Sequence, residues 1–536
     1  MRTYVAAFLF GFGLATAPIE AQDPTATPPA RLLFRVEVDG PAAWRAKFAP
    51  TNLGVMLASE EGGKAWKPRL QPFDVALRRF LADAEGGPGD AAARDRWVDY
   101  GGRIEFVLWS SEPKDAKESA IAHAALRFHG DGRTDLDALS ADLARILARW
   151  GDAVGKLQAG KPTRDRDTIV VLLGDPATFA VNEALVKTLS APDPATAKGP
   201  SLRLVAYGAD VEAFLRGFEA TIAGVWKALG FASLQHVEFA IGTAGPLVQL
   251  ECAAQFAGDE RGLFGAFFPA SEALPPLLHL APDDGTPWKV GHFDAAAMWR
   301  TGCAVTDAFR EEPAGTAAAA VAKGWGLDPL ADVFGQMHTD YLLVGMPGWS
   351  SEDGFVIDGL FVFRLRDAAK FADGFERMRL NWKPHVQKVK AEEHDGATIT
   401  HYSTMFFPLQ LAVAHGNAYF AIGPDGPDRI RAALDRSKAE PSAKLGNAWA
   451  PLQRHVPAGH NGVGEIDLHR VMTMHVSTVL AVLAFVPQDS LPEFLQNVDA
   501  DALVEEVSPL LERHGLRTLR SATGFHAGRW NYRVFW

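Results

Sequence analysis

Four groups of side chains in this 536-residue chain have types and spacings that chemistry could use. His292 and Asp294 stand two residues apart in VGHFDAAAMW, residues 290–299. An imidazole oriented by a carboxylate is the arrangement of a general base. His455, His460, Glu465, Asp467, His469 and His475 crowd into RHVPAGHNGVGEIDLHRVMTMH, residues 454–475, and a zinc site needs three or four such donors to converge. Asp131, Asp135, Asp137 and Asp142 lie in HGDGRTDLDALSAD, residues 129–142, where carboxylate oxygens could ligate calcium. Ser111-Glu112-Pro113-Lys114 carries the S-x-x-K spacing of a serine nucleophile with a lysine partner.

Each group has a structural reading that explains it better. Pro113 interrupts the helical turn that would bring Ser111 to Lys114, and no S-D-N or K-T-G segment accompanies it, so a surface loop is expected. The histidine spacings match no metal pattern, and His469 and His475, six residues apart, fall on different faces of a helix. The aspartate tract lacks the glycine and glutamate of an EF-hand loop, and helix capping accounts for it. There is no G-x-S-x-G, H-E-x-x-H, G-x-x-x-x-G-K-[ST] or C-x-x-C. No catalytic residue, metal ligand or cofactor-binding residue is therefore assigned, and no cofactor is expected. The balance lies against an enzyme without deciding it.

The elements that position these residues follow a recurring pattern. A strand rich in branched and aromatic residues ends in an aspartate, and a helical pattern follows. In the first half the aspartates are Asp39, Asp135, Asp175 and Asp210; in the second they are Asp294, Asp367, Asp428 and Asp467. Asp39, Asp175, Asp210, Asp294, Asp367 and Asp467 are read as helix caps, each accepting backbone N–H groups that the first helical turn leaves unpaired. ALGFASL (228–234) and RHGLRTL (513–519) close the two halves, with Gly230 matching Gly515. VGHFD also matches VGEID at 463–467, which suggests that His292 occupies a scaffold position, at the hinge between the halves.

Long alternating runs such as SLQHVEFAIGTAGPLVQLEC favour antiparallel pairing. The expected fold is α+β: antiparallel sheets with helices packed on them, in two pseudo-repeated halves of strand–Asp–helix units, 31–280 and 281–536. GGPGD, APDPATAKGPS and REEPAGTAAAA read as surface connections. The alternating aromatic C-terminus, GRWNYRVFW, also fits the end of a membrane barrel, but the helical content of the rest weighs against that.

Residues 1–21 read as a signal peptide: Arg2, an apolar run from Val5 to about Ala17, and a small-residue approach to Gln22. An uncleaved anchor is the alternative. Residues 22–30 form a Pro/Thr/Ala linker. No later segment is long enough to span a bilayer, so an exported, periplasmic or extracellular protein is expected. Hydrophobic residues at 48% and charged residues at 22% supply an ordinary core. The net charge of −12 weighs against a nucleic-acid partner. Cys252 and Cys303 are the two cysteines. They could form a disulfide closing a loop of about 50 residues, or remain two buried thiols.

The order of features carries a resemblance: the leader, the opening strand–Asp–helix, the strand at 228–234, DERGLFGAFFP (259–269), and APDDGTPWKVGHFD (281–294). Together these resemble an uncharacterised family of secreted bacterial proteins known only as a domain of unknown function. The resemblance implies no activity, cofactor or catalytic residue. The expected function is that of an exported, non-catalytic envelope protein, a binding or scaffolding module; the alternatives are a periplasmic carrier of an apolar ligand and a hydrolase whose site is not visible as a motif. The partner, an envelope protein or an apolar ligand, is not identified by the sequence.

Overall fold

The structure, a computed structural model, describes residues 30–65, 91–111, 122–150, 158–174, 199–207, 220–258, 262–267, 274–282, 286–345, 348–350, 354–356, 359–381, 385–404, 408–438, 460–468, 500–526 and 528–536, with isolated positions at 179, 183, 186, 269 and 271. The leader, the caps expected at Asp175 and Asp210, and Lys114, His455, His469 and His475 lie outside the described residues. No described helix is long and apolar enough to cross a membrane.

The fold is α+β, in two compact units. Of the described residues, 30–207 and 236–251 belong to the first unit, and 220–235, 252–468 and 500–536 to the second. This corrects the division expected at residue 280. The helix Ala220–Ala228 and the helix Gly262–Phe267 both pack on the helix Ala295–Phe309, and that burial draws them into the second unit.

The first unit contains β1 (Ala30–Asp39), β2 (Arg103–Ser111), β3 (Ala122–His129), β4 (Gln158–Ala159), β5 (Thr163–Asp165), β6 (Thr168–Gly174), β7 (Leu202–Tyr207), most of β8 (Leu234–Ala244) and the first half of β9 (Leu247–Phe256). Its sheet runs β6–β3–β2–β1–β7–β8, antiparallel throughout. β4 and β5 add to β6. The helix Leu136–Trp150 places Leu136, Leu139, Leu143 and Leu147 on one stripe and buries them against Phe128, Ile169, Val171 and Leu173. Asp135 caps it, its Oδ1 accepting from the N–H groups of Asp137 and Ala138 at 3.0 and 3.1 Å.

The second unit contains β10 (Trp288–His292), β11 (Met337–Gly345), a small ribbon of β12 (Gly348–Ser350) and β13 (Gly354–Val356), β14 (Gly359–Leu365), β15 (Val386–His394), β16 (Ala397–Thr404), β17 (Pro408–Ala414), β18 (Asn417–Ile422), β19 (His460–Asp467), β20 (Thr518–His526) and β21 (Arg529–Phe535). Its sheet is also antiparallel, in the order β15–β16–β17–β18–β14–β11–β10–β19–β20–β21. The helix Ala368–Asn381 packs Phe371, Phe375 and Met378 over Tyr402, Leu411 and Ala418. Phe371 and Phe375 meet Phe420 edge-on, with ring centroids 6.1 and 5.7 Å apart. Asp367 caps this helix by accepting from the Lys370 N–H at 2.9 Å.

Two expectations change. β10 and β19, the segments that looked alike, are neighbours in the sheet, with Val290 opposite Val463. β10 therefore lies inside the second unit and is not a hinge. REEPAGTAAAA is not only a connection: its alanines begin the helix Thr316–Trp325, and Gly315 takes the left-handed φ of 89° that lets the chain enter it.

Two predictions follow from these contacts. Asp294 Oδ1 accepts the Ala297 N–H at 2.8 Å, so Asp294→Ala is expected to cost about 1 kcal/mol in urea unfolding. His123, buried and stacked on Trp109 with centroids 5.9 Å apart, is pushed down by burial to about 4. The unfolded chain takes up a proton near pH 6.5 that the folded chain refuses until about pH 4, so this contribution is intact above pH 6.5 and is lost as the pH falls from there to 4. His123→Gln should reduce the stability lost between pH 7 and pH 5 by about 2 kcal/mol, read from denaturation midpoints at the two pH values.

Candidate functional site

Alternation along β1, β2 and β3 puts Arg35, Glu37, Asp39, Arg103, Glu105, Arg127 and His129 on one face of the first unit's sheet. Burial without a partner would be costly for every one of these groups, and the structure pairs them. Glu105 is fully buried and receives Arg35 at 2.6 Å, Arg127 at 2.9 Å and His129 at 3.1 Å. Arg103 bridges Glu37 at 3.3 Å and Asp39 at 2.8 Å.

Asp39 is thus not a helix cap. The N-cap of the helix Pro41–Phe48 is Gly40, with no side-chain bond to the helix. The Asp39 carboxylate turns instead to Arg103 and to Lys47 Nζ, at 2.5 Å.

The second unit carries a shorter version. His292 Nδ1 lies 3.2 Å from Asp340 Oδ1 and 3.2 Å from Thr339 Oγ1, and Arg364 closes on the other Asp340 oxygen at 2.5 Å. Arg364 and His292 hold the Asp340 carboxyl below its ordinary value against the opposing effect of burial. His292 is therefore oriented by Asp340, across the strand pair, and not by Asp294, which faces its own helix.

The other sequence candidates disperse. Asp131 accepts the backbone N–H groups of Gly101, Arg133 and Thr134; Asp137 pairs with Arg164; Asp142 takes Arg96 in a bidentate pair at 2.9 and 3.0 Å. Each of these carboxylates already has a donor. On β19, Glu465 pairs with Arg520 and Asp467 with Arg517, each at 3.0 Å. Asp467 thus ends its strand in an ion pair, and the helix it was expected to cap lies outside the described residues. Cys252 and Cys303 do not form a disulfide; each keeps its thiol, Cys252 on β9 and Cys303 on the helix Ala295–Phe309.

The sequence reading missed two constellations. His394, Asp395 and Asp435 bring three potential metal ligands within 4.8 Å of one another. The set is mostly exposed, however, and Lys438 already sits on Asp395, so a cation would have to displace that ammonium.

The more developed site is a groove of about 510 Å³ between the helices Ala295–Phe309 and Thr316–Trp325. One wall presents Trp299, Cys303, Ala304 and Ala308, one helical turn apart; the other presents Ala318, Ala319 and Ala322. The helices are tied at both ends. At one end the buried Asp307 accepts from the N–H groups of Gly315 and Ala317 at 2.7 and 2.6 Å, capping the second helix from the first. At the other, Trp299 packs on Trp325 and Phe334, with centroids 6.3 and 5.3 Å apart. Alanines reach too little way across the gap to fill it. Arg300, Glu312 and Asp328 mark the polar margin. Burial and the Asp307 charge push the Cys303 thiol up, so it stays protonated at neutral pH. The only sequence signal for this wall was the alanine run, which carries no chemistry of its own.

No family model, no curated protein and no solved structure matches the chain.

Breaking the ion lattice should unfold the first unit before it changes any surface. Glu105→Gln is expected to cost about 3–5 kcal/mol in chemical denaturation, because two buried guanidinium groups lose their shared carboxylate. An unchanged midpoint would show that the lattice is dispensable.

Proposed function

We propose that the protein is an exported binding protein of the bacterial envelope that holds an apolar small molecule in the groove between the helices Ala295–Phe309 and Thr316–Trp325. The groove carries the proposal. Its volume of about 510 Å³ falls in the range of small-molecule sites, roughly 300–1,000 Å³. Its lining combines alanine walls with an aromatic ring at Trp299 and a few polar groups at the margin, the composition expected of such sites. Export rests on the leader at residues 1–21, and the resemblance to secreted bacterial proteins of unknown function agrees with it.

We also infer that the two units descend from one duplicated unit. In pairing order, β6–β3–β2–β1–β7–β8 corresponds to β18–β14–β11–β10–β19–β20, and the chain visits both sets in the same succession. In both, a carboxylate on the second strand of the set bonds an arginine on the third: Glu105 to Arg127, and Asp340 to Arg364. Gly230 and Gly515, each shortly before the sixth strand, take left-handed φ values of 83° and 67°. On this reading one ancestral scaffold acquired a groove in its second copy, between the helices that connect β10 to β11.

Binding of the neutral dye N-phenyl-1-naphthylamine tests the groove. The full chain should enhance its fluorescence saturably, and the double substitution Ala318→Trp and Ala322→Trp, which fills the groove from one wall, should weaken binding about tenfold or more. Equal binding by the filled variant would sink the proposal.

A further inference from the structure

Buried basic side chains of the first unit meet carboxylates: Arg103 has Glu37 and Asp39, Lys47 has Asp39, and Arg127 has Glu105. Lys289 on β10 does not follow this rule. Among the described residues no carboxylate pairs with it, and its ammonium instead lies 5.0 Å from the centre of the Tyr532 ring.

Strand pairing defines what surrounds it. Lys289 stands opposite Gly464 on β19 and Leu343 on β11. On the same face, Gly291 stands opposite Tyr341, Gly464 opposite Ser521, Gly462 next to Thr523, and Thr523 opposite Tyr532. The face that carries the lysine therefore also carries two phenols, two aliphatic hydroxyls and Leu343, over a floor of three glycines.

The floor tolerates nothing larger. A Cβ at Gly464 would come within 3.2 Å of the Lys289 Cβ and 2.8 Å of the Trp288 carbonyl oxygen; one at Gly462 would come within 2.5 Å of Thr523 Oγ1; one at Gly291 would press on the Tyr341 ring at 3.3 Å. Burial pushes the Lys289 ammonium down, while it raises Tyr341 to about 12 and Tyr532 above its ordinary value. The amine is therefore moved toward its neutral, nucleophilic form and the phenols stay protonated. Cys252 also lies near Tyr532. The residue as a whole is half-buried.

We propose that Lys289 is a covalent site for a small aldehyde or ketone, which it binds as an imine. The neutral amine's lone pair attacks the carbonyl carbon, and the carbonyl π pair moves onto oxygen to give a carbinolamine. The nitrogen then forms its second bond to carbon as the hydroxyl departs. A phenol of Tyr341 or Tyr532 supplies the proton that makes the hydroxyl leave as water, and the proton shed by nitrogen restores the phenol. One amine and one carbonyl give one imine and one water, with no oxidant or reductant. Among the described residues no carboxylate pairs with the lysine to hold it in its charged form, and the Tyr532 ring face can accommodate the iminium in place of the ammonium.

The test is reductive trapping on the full chain. The protein is incubated with propanal and sodium cyanoborohydride at about pH 6.5, and the adducts are mapped by peptide mass spectrometry. Lys289 is expected to gain the propyl group about tenfold or more faster than the exposed Lys64, which is ion-paired with Glu60. Lys289→Arg should abolish that adduct and leave dye binding in the groove unchanged, which separates this site from the groove. Replacing both phenols (Tyr341→Phe with Tyr532→Phe) should slow trapping at Lys289 while it leaves Lys64 unaffected. Trapping of Lys289 no faster than Lys64 overturns the proposal.

Discussion

The architecture depends on carboxylates buried within its sheets. Glu105 in the first unit and Asp340 in the second each take arginine, with histidine beside it, where water has been largely removed. Taking such charges out of water is costly unless each meets a partner in good geometry. That requirement fixes register more strictly than apolar packing does. A slip of one residue along β2 would turn Glu105 to the opposite face, against Leu139 and Phe128, and leave Arg35 and Arg127 without it. The aliphatic cores fill space on such a frame, and the lattice determines which frame forms.

Much of this is legible in the sequence, for a reason visible at particular residues. Asp135, Asp294 and Asp367 cap helices within three positions of themselves, so the whole interaction lies inside one short segment. Asp39 has the same local pattern, yet Arg103, its partner across the β1–β2 pair, lies 64 residues away and competes successfully for the carboxylate. His292 was similarly read against Asp294, two residues on, when its partner is Asp340 on the neighbouring strand. Local motifs reported what neighbours in the chain do; they could not report which strands would become neighbours in space. The match between VGHFD and VGEID illustrates this, since the similarity belongs to two strands that pair.

The groove was harder to see because it is made of what residues lack. Ala304, Ala308, Ala318, Ala319 and Ala322 are ordinary helix formers, and nothing in an alanine announces a cavity. The gap arises because two tethers, Asp307 at one end and Trp299 at the other, hold the helices while short side chains leave the middle unfilled. The polar patch around Lys289 escaped notice for a related reason. Its members come from β10, β11, β19, β20 and β21, and only the pairing brings them together. The lattice, the groove and the lysine patch thus place polarity in three different ways: in saturated pairs, at a margin, and as a single amine beside an aromatic ring.

The caps at the groove have a consequence for selectivity. Both carboxylate oxygens of Asp307 accept from backbone N–H groups, and Asp328 Oδ1 accepts from the N–H groups of Leu330 and Ala331. Two of the three acids along the lining thereby have their charge compensated by helix N-termini. What remains for a visitor is Arg300 and Glu312, one charge of each sign, both at the margin. A molecule entering the cleft meets an electrically quiet interior, so an ionised group buried midway along it would find no counter-charge. Sorting among guests of similar size would then depend on whether any polar end they carry can stay at the mouth.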